Sequence, residues 1–120
     1  MRQQASKSVM GQAEYILHRQ NLGATQEEIM EFAHELKQYG LKLTDIAENC
    51  PKQERTLSAC QRVLSCAREH SAYLKQLAAA GKLPITALSA ESGVECKTIK
   101  RHRKYLVALL LTFTNILIHI

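Results

Sequence analysis

The sequence predicts an all-α protein: a compact domain of five to seven helices, closed by a helix-turn-helix and a long final recognition helix. Three observations carry this expectation. Hydrophobic residues make up 46% of the chain, which nevertheless holds only four Tyr, two Phe and no Trp. A core must then be built from Leu, Ile, Val, Ala and Met, a composition that suits helices better than a β-sandwich. Apolar residues recur at three- and four-residue spacings, no stretch alternates as a half-buried strand does, and Gly, Pro and hydroxyl residues punctuate the stripes where helices start and stop.

In order along the chain, a first helix is expected through "GQAEYILHRQNL", stopping near Gly23. "TQEE" follows, with Thr25 as N-cap and Glu28 three residues later, a capping box in which each side chain satisfies an otherwise unpaired backbone N–H. The next helix carries Ile29, Phe32, Ala33 and Leu36 on one stripe and ends at Gly40, suited to a left-handed cap. "LTDIAENC" predicts a short helix capped by Thr44. Pro51 suits the first turn of the following helix, where its missing N–H has no partner to lose. That helix runs through "ERTLSACQRVLSCAREH" with Leu57, Cys60, Leu64 and Ala67 inward. Ser71 is expected to cap "AYLKQLAAA", ended by Gly81, and Pro84 to open "ITALSAE". After the turn "SGV", a last helix runs from about Cys96 to at least Phe113.

The last thirty residues have the pattern of a helix-turn-helix. Such a motif needs a small residue where the helices cross, a Gly in the tight turn, and apolar residues that lock the pair. Ser89 is the small residue, Gly93 makes the turn, and Val94 and Ile99 lock against Leu88. On the final helix, five of the eight residues from Lys97 to Lys104 are Lys or Arg, and none is acidic. At about 100° per residue, Lys97, Lys100, Arg101 and Lys104 share one sector, while Ile99, Leu106, Leu109, Leu110, Phe113 and Leu117 lie opposite. A solvated helix face normally mixes signs, because like charges three and four residues apart repel. This face is therefore read as a DNA-binding surface. Lys100 and Arg101 are the candidates for base edges, and Lys97, Arg103, Lys104 and the Thr98 hydroxyl for phosphates.

The remaining composition narrows the function class. With 120 residues the chain is sized for one domain. Its formal charge of +5 suits a nucleic acid or an anionic membrane surface. The apolar stretch from Leu106 to Ile120 is interrupted by Thr112, Thr114, Asn115 and His119 and is shorter than the roughly 20 residues a spanning helix needs. No signal-peptide pattern opens the chain, and a cytoplasmic location is expected. Cys50, Cys60, Cys66 and Cys96 include no CxxC pair; Cys66 and His70 share a helix face, but with no evident second pair a buried thiol is the reading, and no metal or cofactor is expected. No Gly-rich phosphate loop or activated nucleophile motif is present, so the expectation is a protein that is not an enzyme and has no small-molecule ligand. His102 is read as structural, and RNA binding lacks aromatic platforms.

The stretch "LPITALSAESGVECKTIKRHRKYLVALLL" resembles the C-terminal domain of the sigma-I group of alternative RNA polymerase sigma factors. The likeness rests on Leu83-Pro84, Gly93-Val94, and Lys97, Thr98, Ile99, Arg101, Arg103, Lys104 and Tyr105, with "EEIMEFAHELKQYGLKLTDIAENCPKQERT" similar upstream; it covers about residues 24 to 113. Residues 1–23 are accordingly read as linker and first helix, and 24–120 as the DNA-binding domain, with its helix-turn-helix at 84–113. The resemblance implies recognition of the promoter −35 element. It also implies regulation by a membrane-bound anti-sigma factor whose cytosolic N-terminal domain sequesters the sigma factor until heat or extracellular polysaccharide signals. RNA polymerase core would be gripped by a domain outside these residues, so this stretch is expected not to initiate transcription by itself. Glu95 and Cys96 depart from the Ser-Arg usual in the family, and "TNILIHI" is unusually apolar. A module that chiefly binds the anti-sigma domain and a stand-alone helix-turn-helix regulator are the alternatives.

Overall fold

The computed structural model describes residues 11–19, 25–38 and 40–113. Among them run helices α1 (residues 11–18), α2 (Gln26–Gln38), α3 (Leu43–Asn49), α4 (Glu54–Glu69), α5 (Ser71–Ala80), α6 (Ile85–Ser92), α7 (Cys96–Arg101) and α8 (Arg103–Ala108), then a π-helical turn at Leu109–Phe113. No strand occurs among the described residues, and the fold is all-α. The expected stop near Gly23, the side chain of Phe113, and Leu117 with the rest of the tail lie outside the described residues.

The apolar stripes read from the sequence are the ones buried. In α2, Ile29, Phe32 and Leu36 face inward, with Ala33 half-buried beside them. In α4, Leu57, Cys60, Leu64 and Ala67 are buried, and Val63 joins them. Helix α1 contributes Ala13, Ile16 and Leu17 to the same core. Helix α4 is central, packing on α5, α6, α7 and the π-helical turn, while α3 lies along α8. The apolar segment after the basic residues completes this core: Tyr105, Leu106, Leu109 and Leu110 are all at most 2% exposed. No described helix is long and apolar enough to cross a membrane.

Several caps follow expectation. Thr25 N–H donates to Glu28 Oε1 at 3.1 Å, and Glu28 N–H to Thr25 Oγ1 at 3.2 Å, closing the capping box. Gly40 sits at φ 71°, with its N–H on Lys37 O and Leu41 N–H on Leu36 O, the paired bonds of a left-handed helix end.

Three caps differ. Lys42, not Thr44, takes the extended cap conformation of α3 (φ −98°, ψ 129°), because Leu43 already packs on the core and starts the helix. Pro51 lies before α4 rather than in its first turn, and Gln53 is the cap. The Arg19 guanidinium holds that segment outside the helix, donating through Nη2 to Pro51 O at 2.8 Å and Lys52 O at 3.3 Å. Ser71 is the first residue of α5 and not its cap: α4 and α5 share His70 as the residue between them, whose carbonyl accepts Tyr73 N–H at 2.9 Å. The last helix is also divided, at His102.

Candidate nucleic-acid interface

The helix-turn-helix is assembled from α6, a turn at residues 93–95, and α7. Gly93 adopts φ 75°, ψ 11°, a left-handed conformation that costs a side-chain-bearing residue free energy. Its N–H donates to Ser89 O at 3.0 Å. The Ser89 hydroxyl has a second task, donating to Val94 O at 2.6 Å, and Val94 N–H donates back to Ser92 Oγ at 3.2 Å. A hydroxyl at the crossing position thus fastens the turn. Leu88 and Ile99 are fully buried and Val94 nearly so, which locks α7 against α6.

With Ile99 held inward, the cations are presented outward. Lys97, Lys100, Arg101, Arg103 and Lys104 are all exposed, and Thr98 is half-buried. None of the five cations forms an ion pair among the described residues. Lys100, Arg101, Arg103 and Lys104 come together along one groove of about 310 Å³, bordered by Asp45, Glu48 and Asn49 of α3. Lys97 is not on that groove. The sequence wheel, drawn for a straight helix, grouped Lys97 with the others and left Arg103 out; the bend at His102 changes the phase between the two segments.

The bend has an identifiable cause. His102 adopts φ −108°, ψ 26°, outside helical geometry. A continuous helix would join Tyr105 N–H to Arg101 C=O. Here the Asn49 carboxamide occupies both halves of that rung: Tyr105 N–H donates to Asn49 Oδ1 at 3.0 Å, and Asn49 Nδ2 donates to Arg101 O at 2.7 Å. Insertion of a side chain into the backbone ladder is a recognised origin of helix kinks. The His102 ring adds a third tie, Nδ1 to Asn49 O at 2.6 Å, an arrangement in which the imidazole N–H donates. His102 is therefore structural, as expected, and α3 sets the direction in which the basic segment leaves the core. Asn49 was not singled out in the sequence, where one Asn at a helix end carries no signal of a partner fifty residues away.

Residues of this chain align with RNA polymerase sigma factor SigI of Bacillus subtilis (strain 168) at 34% identity over 89 residues, 74% of this chain and 36% of that protein. The chain carries a sigma-I family domain. RNA polymerase sigma factor SigI of Bacillus anthracis is 28% identical over 102 residues, covering 85% of this chain and 42% of the relative. RNA polymerase sigma factor SigI4 of Acetivibrio thermocellus is 29% identical over 82 residues, or 68% of this chain and 30% of its own length. The sigma-I domain described here thus spans about a third of the length of the curated relatives it matches. No family model matches the chain, and no solved structure matches it.

Proposed function

We propose that this sigma-I domain is a promoter-recognition module that binds duplex DNA through the exposed basic surface of α7 and the start of α8. One observation carries the reading: five cations, none in an ion pair among the described residues, stand outward on and just after the second helix of a locked helix-turn-helix, whose inward residue, Ile99, is fully buried. Clustered cations repel one another and gain most when phosphates release their counterions. By analogy with its relatives the target is the −35 element, with Lys100 and Arg101 at base edges and Lys97, Thr98, Arg103 and Lys104 on phosphates and sugars. RNA polymerase is the further partner by analogy with the sigma-factor relatives, and the module works in the cytoplasm.

The test is fluorescence anisotropy on duplexes selected from a randomised pool. Arg101→Ala should narrow the gap between selected and scrambled duplexes by about 1–3 kcal/mol. Lys104→Ala should weaken both alike and flatten the slope of log K against log salt by about 0.9. If both variants bind as the parent does, the assignment is wrong.

A second surface supports a regulatory partner. A groove of about 510 Å³ where α2 meets the start of α3, lined by Ala33, Leu41 and Leu43 among others, is more apolar than the basic one. It suits the cytosolic domain of a membrane-bound anti-sigma factor, in keeping with the alternative that protein binding is the chief role. Adding that domain to the DNA-bound module separates the readings: displacement means a shared face, and a ternary complex means separate ones.

A further inference from the structure

Away from the basic surface, the last turn of α4 and the last turn of α6 bring three potential metal ligands together. Cys66 lies in the last turn of α4, His70 is the residue that joins α4 to α5, and Glu91 approaches from α6. Cys66 Sγ lies 3.8 Å from Glu91 Oε2, and His70 Nε2 lies 2.9 Å from the same oxygen. The three ligand atoms are all within 4.8 Å of one another. In a tetrahedral zinc centre, with bonds of about 2.0–2.3 Å to N, O and S, ligand atoms lie about 3.3–3.5 Å apart, so the three groups here need only small side-chain shifts to meet one ion.

The hydrogen bonds around the triad fix how its groups face one another. His70 Nδ1 is 2.9 Å from the Cys66 carbonyl, an acceptor only, so Nδ1 carries a proton and donates it there. In the neutral ring that leaves a lone pair on Nε2, aimed at a carboxylate oxygen 2.9 Å away. Two electron-rich atoms cannot hold that approach without a cation between them, either a proton or a metal ion. The other Glu91 oxygen, Oε1, accepts the Tyr73 hydroxyl at 2.9 Å, and the Tyr73 ring stacks on His70 with centroids 5.1 Å apart. Imidazole held by a carbonyl, and carboxylate held by a hydroxyl, are the outer contacts that orient metal ligands.

We propose that Cys66, His70 and Glu91 form a site for a zinc-class divalent cation. The ligand set of one thiolate, one imidazole and one carboxylate selects zinc, or cobalt as its stand-in, over magnesium and calcium, which prefer oxygen alone. An adjoining open groove of about 500 Å³, lined in part by Ser58, Gln61 and Arg62, leaves room for water as a fourth ligand. As the metal–sulfur bond forms, the Cys66 thiol proton is released to solvent. The ion ties α4 to the end of α6, two residues before the Gly93 turn. The site does not depend on the DNA-binding reading.

The test uses the full chain, freed of metal by a chelator, and titrated with Co²⁺. Expected is one equivalent bound, with thiolate-to-cobalt charge-transfer absorption, displacement by Zn²⁺, and a rise in Tm when Zn²⁺ is added. Cys66→Ser should abolish the charge-transfer band. His70→Gln and Glu91→Gln, at side chains 42% and 40% exposed and so tolerant of change, should each weaken Co²⁺ binding at least tenfold and remove the Zn²⁺-dependent Tm rise. Cys96→Ser should change nothing. Absence of the band at millimolar Co²⁺, its survival in Cys66→Ser, or parental affinity in Glu91→Gln would overturn the proposal.

Discussion

Asn49 offers the sharpest test of how the basic segment is held. In Asn49→Ala both hydrogen bonds of the substituted rung are lost at once. Tyr105 is fully buried, so its N–H, which now donates to Asn49 Oδ1, loses that acceptor in a place water reaches poorly. Losing the partner of a buried donor costs about 1–3 kcal/mol. Arg101 is exposed and its carbonyl can turn to water, so the second loss is nearer the net value of an ordinary bond, about 0.5–1.5 kcal/mol. Local straightening of the helix could recover part of this by rejoining Tyr105 to Arg101, so about 2 kcal/mol of destabilisation is expected. Urea unfolding followed by circular dichroism measures it as a lower midpoint at unchanged slope. At a temperature where the variant is still folded, DNA affinity should also fall, because the cations beyond His102 change direction while their number stays the same. A loss below about 0.5 kcal/mol with parental DNA affinity would refute the reasoning, since the rung would then have no role in either property.

Two further outcomes follow from the geometry. Gly93→Ala should destabilise by about 1 kcal/mol through backbone strain alone, because φ is 75° and an added Cβ meets nothing within 4 Å; Gly93→Asn should recover part of that, and equal stability of all three proteins in thermal unfolding would contradict it. Burial pushes the Cys60 thiol up to about 12, with the nearby Cys50 adding to it, so the folded state holds that proton more firmly than the unfolded chain. The associated stability is complete below the ordinary thiol range and is lost as pH rises from about 9 towards 12. Cys60→Ala should therefore flatten the alkaline limb of the stability–pH curve, and an unchanged limb would count against the assignment.

What the sequence made legible was what neighbouring residues decide. The stripes of α2 and α4, the Thr25–Glu28 box and the Leu88–Gly93–Val94–Ile99 lock all depend on spacings of a few positions, and all are found in the structure. The outward display of the five cations follows from Ile99 pointing in. The features that escaped depend on chain segments far apart. The bend at His102 is made by Asn49, and the displaced position of Pro51 by Arg19. Glu91 reaches Cys66 and His70 only once α6 has packed on α4. Thr44 and Ser71 failed as caps for a local reason that spacing does not reveal: Leu43 begins its helix earlier, and His70 serves two helices at once.

The first helix bears on how the protein should be handled. Ala13, Ile16 and Leu17 are at most 1% exposed, and Arg19 reaches across to carbonyls more than thirty positions along the chain. Cloning boundaries drawn at residue 24 would strip a wedge from the hydrophobic interior. The trimmed product would meet solvent through an oily cleft and be prone to precipitate, whatever its capacity for nucleic acid.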